Sequence, residues 1–179
     1  GGSSREDVGV FRWDSRTDQK KFLGTFRGAA KSCDNLPNDS EEMPKGHTTF
    51  VLKEDKMYMG SQNFHDFKEN LDGWNTYRGG HLFSYDVNTE KWDDISSRQT
   101  DGVLIRHDGL LVLDAVPSTD YLASVSHPHG RVVIYNNKTD RIEKTFDATP
   151  WSSSYFPSRQ IITEKQGFIY TSRNHEFPD

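Results

Sequence analysis

A chain of 179 residues with 12% aromatic side chains is long enough for one ordinary domain, or a slice of a larger one, and too aromatic for a disordered one. Its 22 basic and 27 acidic residues give a net charge of -5 and are spread without blocks, which leaves no electrostatic footprint for nucleic acid. No apolar run approaches the ~18–20 residues of a membrane helix, no signal-peptide core is present, and the single Cys33 excludes an internal disulfide framework and any multi-cysteine zinc site.

In chain order, the first element after Gly1-Gly2-Ser3-Ser4 is Gly9-Val10-Phe11-Arg12-Trp13-Asp14-Ser15-Arg16-Thr17-Asp18. It reads as a strand with aromatic residues that runs into a polar turn, and Lys21-Phe22-Leu23 forms the return strand. A polar stretch over residues 31–45 follows. Thr48-Thr49-Phe50-Val51-Leu52 and Lys56-Met57-Tyr58-Met59-Gly60-Ser61 are the next two strands, followed by a long loop over residues 66–80. The first pattern then recurs without gaps as His81-Leu82-Phe83-Ser84-Tyr85-Asp86-Val87-Asn88-Thr89-Glu90, with Lys91-Trp92-Asp93-Asp94-Ile95 returning. Leu110-Leu111-Val112-Leu113 and Tyr121-Leu122-Ala123-Ser124 repeat the two preceding strands. A third copy of the hairpin is Arg131-Val132-Val133-Ile134-Tyr135-Asn136-Asn137-Lys138-Thr139-Asp140, returning along residues 141–146. Gln160-Ile161-Ile162-Thr163 and Gly167-Phe168-Ile169-Tyr170-Thr171-Ser172 open a further unit. No helix-period pattern of useful length is expected anywhere.

Each unit is thus four short strands: one that opens it, one ending in Ser, one with the aromatic-Asp pair, and a return. The spacing from Tyr85 to Tyr135 matches the ~40–50 residues of a propeller blade. The fold predicted is all-β: a β-propeller of four-stranded antiparallel blades, present as an incomplete ring. The expected division is a partial blade over 1–30, a linker over 31–46, blades over 47–97 and 102–147, and a partial blade over 158–179. Closed rings typically hold 4–8 blades and open sheet edges are avoided, so this segment belongs to a larger propeller or its ring is completed by a second chain. An open antiparallel sheet or sandwich is the alternative.

In a propeller the loop between second and third strands opens on the face that binds ligands. Three of the seven histidines, His65, His127 and His175, follow the Ser of a second strand, and His81 and Arg131 stand four residues before the aromatic of a third. Histidine exchanges protons near neutral pH and ligates metals, and arginine offers a fork to carboxylate or sulfate. The bland reading of each histidine, closing a strand and satisfying loop backbone, has near-even weight; it weighs less for the His65–His81 pair. His127-Pro128-His129 reads best as a proline-shaped turn, and His47 and His107 as loop residues. Tyr58, Tyr85, Tyr135 and Tyr170 are expected between blades, and Trp13 and Trp92 in the core. Tyr77, Tyr121 and Tyr155 lie at boundaries from which a phenol reaches the funnel. Arg159 is a second anion clamp, and Trp74 on its long loop suits stacking on a sugar ring. Phosphate-loop, calcium-loop and nucleophile-elbow patterns are absent, and so is the Trp-Asp blade ending.

Asn63-Phe64-His65-Asp66-Phe67 followed by Tyr77-Arg78-Gly79-Gly80-His81-Leu82-Phe83-Ser84-Tyr85-Asp86 resembles the seven-bladed propeller polysaccharide lyases, the ulvan lyases especially. The resemblance covers roughly residues 51–159. It implies β-elimination on a uronate-containing, sulfated polysaccharide, two histidines across one loop with a tyrosine and an arginine, and in several members a structural metal. Carried onto this chain, His65 and His81 are the acid–base pair, with Tyr121 as a further base or acid. Arg131 or Arg159 holds the carboxylate, and Trp74 and Tyr155 bind substrate. The chemistry requires no cofactor and leaves room for a structural divalent metal, zinc or calcium, with His127 and His175 as ligands. The partner expected is an anionic polysaccharide, with no nucleic acid or membrane, and the setting secreted or periplasmic. Two other classes compete: a non-catalytic propeller that binds glycan or protein, and a metal-dependent hydrolase using His65, His127 and His175.

Overall fold

The computed structural model describes residues 7–35, 45–46, 48–62, 80–98, 109–127, 131–147, 157–163 and 166–173. Over these residues the chain is mostly strand, arranged in four antiparallel sheets. The first sheet pairs β1 (Gly9–Asp14) with β2 (Gln19–Thr25), and α1 (Phe26–Ser32) follows directly. The second holds β3 (Lys45–Gly46), β4 (Val51–Lys53), β5 (Lys56–Gln62), β6 (Leu82–Asp86) and β7 (Lys91–Asp94). β3 and β4 lie along the same edge of β5, opposite Ser61–Gln62 and residues 56–58, so together they act as one interrupted opening strand. In the third sheet β8 (Gly109–Ala115), β9 (Tyr121–His127), β10 (Arg131–Asn136) and β11 (Arg141–Asp147) pair in sequence order. The fourth pairs β12 (Pro157–Thr163) with β13 (Ile169–Arg173).

The hairpin repeat read from sequence is reproduced atom by atom. Asp14 Oδ1 accepts the N–H of Arg16, Asp86 Oδ1 those of Asn88 and Thr89, and Asn136 Oδ1 those of Lys138 and Thr139. These side chains stand in for backbone acceptors and reverse the chain within four residues. The last turn residue is left-handed in all three copies: Asp18 at φ 54°, Glu90 at 58° and Asp140 at 58°. In the outer copies that acid also receives the strand aromatic, Trp13 Nε1 at 2.9 Å from Asp18 and Tyr135 OH at 2.5 Å from Asp140.

Alternation along the strands then buries both faces of the second and third sheets. Met59, Phe83 and Tyr85 turn toward the first sheet, where they meet Val10 and the Phe26, Ala29 and Ala30 face of α1. Tyr58 and Leu82 turn the other way, onto Leu113, Leu122 and Tyr135 of the third sheet. Ala123, Val125 and Val132 in turn pack toward Ile169 of the fourth. Burial at the second of these seams pushes the Tyr58 phenol up to about 12, with the carboxylates of Asp140, Glu54 and Asp93 adding to the shift. Trp92 donates from Nε1 to the Leu23 carbonyl at 2.7 Å, so the β2 backbone comes close to its ring at Gly24. A Cβ there would lie 3.1 Å from the indole nitrogen, and the φ of +125° already favours glycine.

Three expectations need correction. α1 occupies the end of the expected partial blade and the start of the expected linker, where no helix was expected, and a 3-10 turn follows β7 over Ile95–Arg98. Thr25 caps α1 by accepting the Gly28 N–H, and the small Ala29 and Ala30 let about two turns of helix settle against the core. Seven residues are too few for a period to show. Trp13, expected in the core, is 60% exposed, and Tyr170, expected between blades, is 54% exposed. Both lie on the outward faces of the first and fourth sheets, which no described sheet covers. Among the described residues the stack is open.

Candidate functional site

The sheets stack with their hairpin turns at one common end. The Lys21 ammonium reaches Glu90 at 2.6 Å, tying the turn ends of the first two sheets. Lys53 at the β4–β5 turn donates to the Thr119 carbonyl in the β8–β9 turn at 2.5 Å. The opposite end collects the last residues of β5 and β9, the first residues of β6 and β10, and the segments that leave β2 and β7.

At that end His81 is the best defined group. Its N–H donates to Ser61 Oγ at 2.9 Å, and its carbonyl accepts the Ser61 N–H, so the residue continues the β5–β6 ladder one step beyond the strand. Its ring lies parallel to that of Phe83, tilted by 4° with centroids 5.4 Å apart. Nδ1 lies 2.6 Å from Asp94 Oδ2 at the end of β7. Asn35, just beyond α1, donates from Nδ2 to the same carboxylate oxygen at 2.9 Å, and lies 3.3 Å from both Ser96 Oγ and His81 Nδ1. Asp94 Oδ1 accepts the Ser96 N–H at 3.1 Å and, in a very short contact, the Ser96 hydroxyl. Asp94 is fully buried, His81 only 6% exposed.

Beside His81, the Asn35 amide, the Ser96 N–H and the Ser96 hydroxyl all donate to the Asp94 carboxylate, which as an ionised group only accepts. Since the carboxylate accepts, His81 Nδ1 carries hydrogen and donates. In the neutral ring Nε2 is then the basic nitrogen. A carboxylate that fixes tautomer and ring orientation in this way is the arrangement by which proteins prepare an imidazole for proton transfer or ligation. The ring belongs to the second sheet while Asn35 comes from the first unit, so the cluster also locks two units together.

The third sheet repeats the backbone but not the chemistry. Arg131 begins β10 as His81 precedes β6, and its N–H donates to Ser126 Oγ at 3.1 Å. Ser61 thus matches Ser126, two residues beyond the Ser124 chosen by sequence alignment. A two-residue slip keeps every side chain on its face, which is why the pattern alone did not expose it. Arg131 is half-buried. His127 ends β9 opposite Gly109, and Arg159 lies near the start of β12, so both sit at the His81 end of the stack. Tyr121 does not: it begins β9 opposite Asn136, about 20 Å of strand away from that end. His65, Trp74, Tyr155 and His175 lie outside the described residues.

Sequence reasoning missed Asn35, Asp94, Ser96 and the pairing role of Ser61. A signal was available in Asp94-Ile95-Ser96, an acid with a hydroxyl two residues on, which favours a local side-chain turn over continued strand. Among the described residues, no three His, Cys, Asp or Glu side chains gather as a metal site, and no helix is long and apolar enough to cross a membrane. No known family model and no curated protein matches this sequence.

Proposed function

We propose that the four sheets are blades of a β-propeller and that its loop end carries a polysaccharide lyase site acting on uronate-containing, ulvan-like polymer outside the cytoplasm. The observation that carries this reading is the buried hydrogen bond between His81 Nδ1 and Asp94 Oδ2, with Arg131 at the matching position of the next sheet. Blade character is supported by two four-stranded meanders in sequence order with both faces buried against neighbours. In the reaction, an arginine at this end, Arg131 or Arg159, pairs with the uronate carboxylate and makes the C5 proton more acidic. His81 Nε2 takes that proton, the C5 electron pair forms the C4–C5 double bond, and the C4–O bond breaks. The departing oxygen takes a proton from a second group, His65 by sequence. Tyr121, which begins β9 at the turn end, is left out of this proposed step.

A second reading, a non-catalytic glycan-binding propeller, draws on a different observation. His81 is only 6% exposed and stacks on Phe83, as a residue that holds a loop in place would. Incubation with ulvan and other uronate polymers, followed by ultraviolet absorbance of the unsaturated product, separates the two. The lyase reading expects a rising trace that falls about 10²–10⁴-fold in His81→Ala, with a similar loss in Asp94→Asn, while circular dichroism stays native. A flat trace from wild-type protein that binds the polymer sinks the lyase and leaves the binding module.

A further inference from the structure

Asn35 is where the first unit enters the His81 cluster, and the end of α1 fixes it there. Beyond Ser32 the chain closes in a Schellman turn: the Asp34 N–H donates to the Lys31 carbonyl at 3.2 Å, and the Asn35 N–H reaches back to the Ala30 carbonyl at 2.9 Å. Asp34 takes the left-handed conformation that this turn requires, with φ 54°. The Asn35 backbone is thereby held on α1, whose Phe26, Ala29 and Ala30 lie in the core. Its buried side chain is delivered to a carboxylate 59 residues further along the chain.

The contacts of this side chain work against a positive charge on His81. Asn35 Nδ2 donates to Asp94 Oδ2, the oxygen that also accepts from His81 Nδ1, and lies 3.3 Å from that Nδ1. Both nitrogens carry hydrogen, so their approach is a meeting of two donors. Ser96 gives its N–H and its hydroxyl to Oδ1. A buried carboxylate without such help would draw a proton onto the imidazole, because a buried negative charge is costly without a counter-charge. Here neutral donors meet that need, and the amide hydrogens beside Nδ1 disfavour a second charge. From the other elements packed here, Phe83 of β6 stacks on the ring and Ser61 of β5 takes its backbone N–H. Cys33, at the end of α1, accepts the Asp94 N–H on Sγ at 3.3 Å. None of these three is a cation.

We propose that Asn35, assisted by Ser96, is a positioning residue that keeps the His81 ring uncharged with Nε2 free, and so sets the pH above which His81 can accept a proton. Because Asn35 belongs to the first unit, the docking of α1 on the second sheet becomes a condition for the basicity of His81. The proposal rests on the lyase reading only for what that basicity is used for, which is abstraction of the C5 proton. Its effect on the ring needs no substrate.

Nuclear magnetic resonance of the imidazole nitrogens through a pH titration, on the full chain without substrate, tests it. The His81 signals are assigned by their loss in His81→Ala. Wild-type protein is expected to carry its ring hydrogen on Nδ1. Asn35→Leu, close in volume, removes the amide donors and should make the ring protonate more readily, by about tenfold in its acid constant. Ser96→Ala, which keeps the backbone N–H, should move it the same way by less. If Asn35→Leu loses the native circular dichroism, Ser96→Ala carries the test. Asp34→Gly keeps the Schellman turn and should leave the titration in place. With uronate polymer, the acid limb of kcat/KM in Asn35→Leu should rise in pH by the same factor while the alkaline plateau is nearly kept. A ring titration unmoved within about twofold in the folded variants overturns the proposal. So does a loss of rate that is equal at every pH, which is what a merely structural role would give. A titration that moves in a protein that cleaves nothing upholds the role of Asn35 and sinks only the lyase.

Discussion

His81 and Arg131 occupy one backbone position in two successive sheets, yet the described groups around them differ. His81 stands just before β6 and Arg131 begins β10, and each donates its N–H to the serine one residue from the end of the neighbouring second strand. Around His81 the chain adds Asp94, Ser96 and, from the preceding unit, Asn35, and buries them all. Arg131 stays half-buried. The repeat thus sets where a side chain is presented, while the segments after the return strands decide what it can do. In the second sheet that segment is a 3-10 turn that brings Ser96 back onto Asp94. A function grafted onto a repeating frame is expected to differ between units in this way.

The sharpest way to break the comparison is to empty the two positions. Asp94→Ala leaves His81, Asn35 and Ser96 facing one another without their common acceptor, and should cost about 3–5 kcal/mol in urea denaturation. Arg131→Ala, half-buried, should cost under about 1 kcal/mol. Equal losses would mean that the polar cluster contributes no more than the half-buried arginine does. The shared part of the two positions should respond equally. Ser61→Ala and Ser126→Ala each leave an N–H without its serine acceptor, buried at His81 and part-buried at Arg131, at about 1–3 kcal/mol apiece at most. A large loss at one serine alone would show the two ends to be alike in geometry but not in energy.

How much of this was legible beforehand depends on how far each feature is local. The three hairpins were readable because an Asx turn and its strand aromatic sit within six residues, so one glance at Trp13-Asp14, Tyr85-Asp86 and Tyr135-Asn136 finds them. His81 and Arg131 were readable as a matched pair for the same reason. Their partners were not: Asn35 is 46 residues from His81 and meets it only because α1 turns the chain back onto β7. α1 itself hid because about two capped turns are too short to show a period. The exposure of Trp13 and Tyr170 was illegible on another ground. Their strand pattern is that of a buried sheet, and only the stack shows that their neighbours are missing from the described residues.

The smallest effect compares the two turns. Asp86 and Asn136 each accept two backbone N–H groups through one side-chain oxygen, at 2.8–2.9 Å in the first and 2.9–3.1 Å in the second. Only Asp86 can be protonated. The Thr89 and Asn88 N–H groups favour its charged form and hold its carboxyl below the ordinary value of 3.8. A carboxyl lowered by folding lends stability above its unfolded value, and that stability fades as pH falls from 3.8 through the folded value. Asn136 lends the same two bonds at every pH. Asp86→Asn should therefore leave the midpoint of urea unfolding almost unchanged near neutral pH, and flatten its decline below about pH 4. Because the group is exposed, the change is small, and it must be read as the difference between two acid titrations rather than from one. If the variant declined as steeply as the wild type, the acid sensitivity would lie elsewhere, and the two turns would be interchangeable in charge as well as in shape.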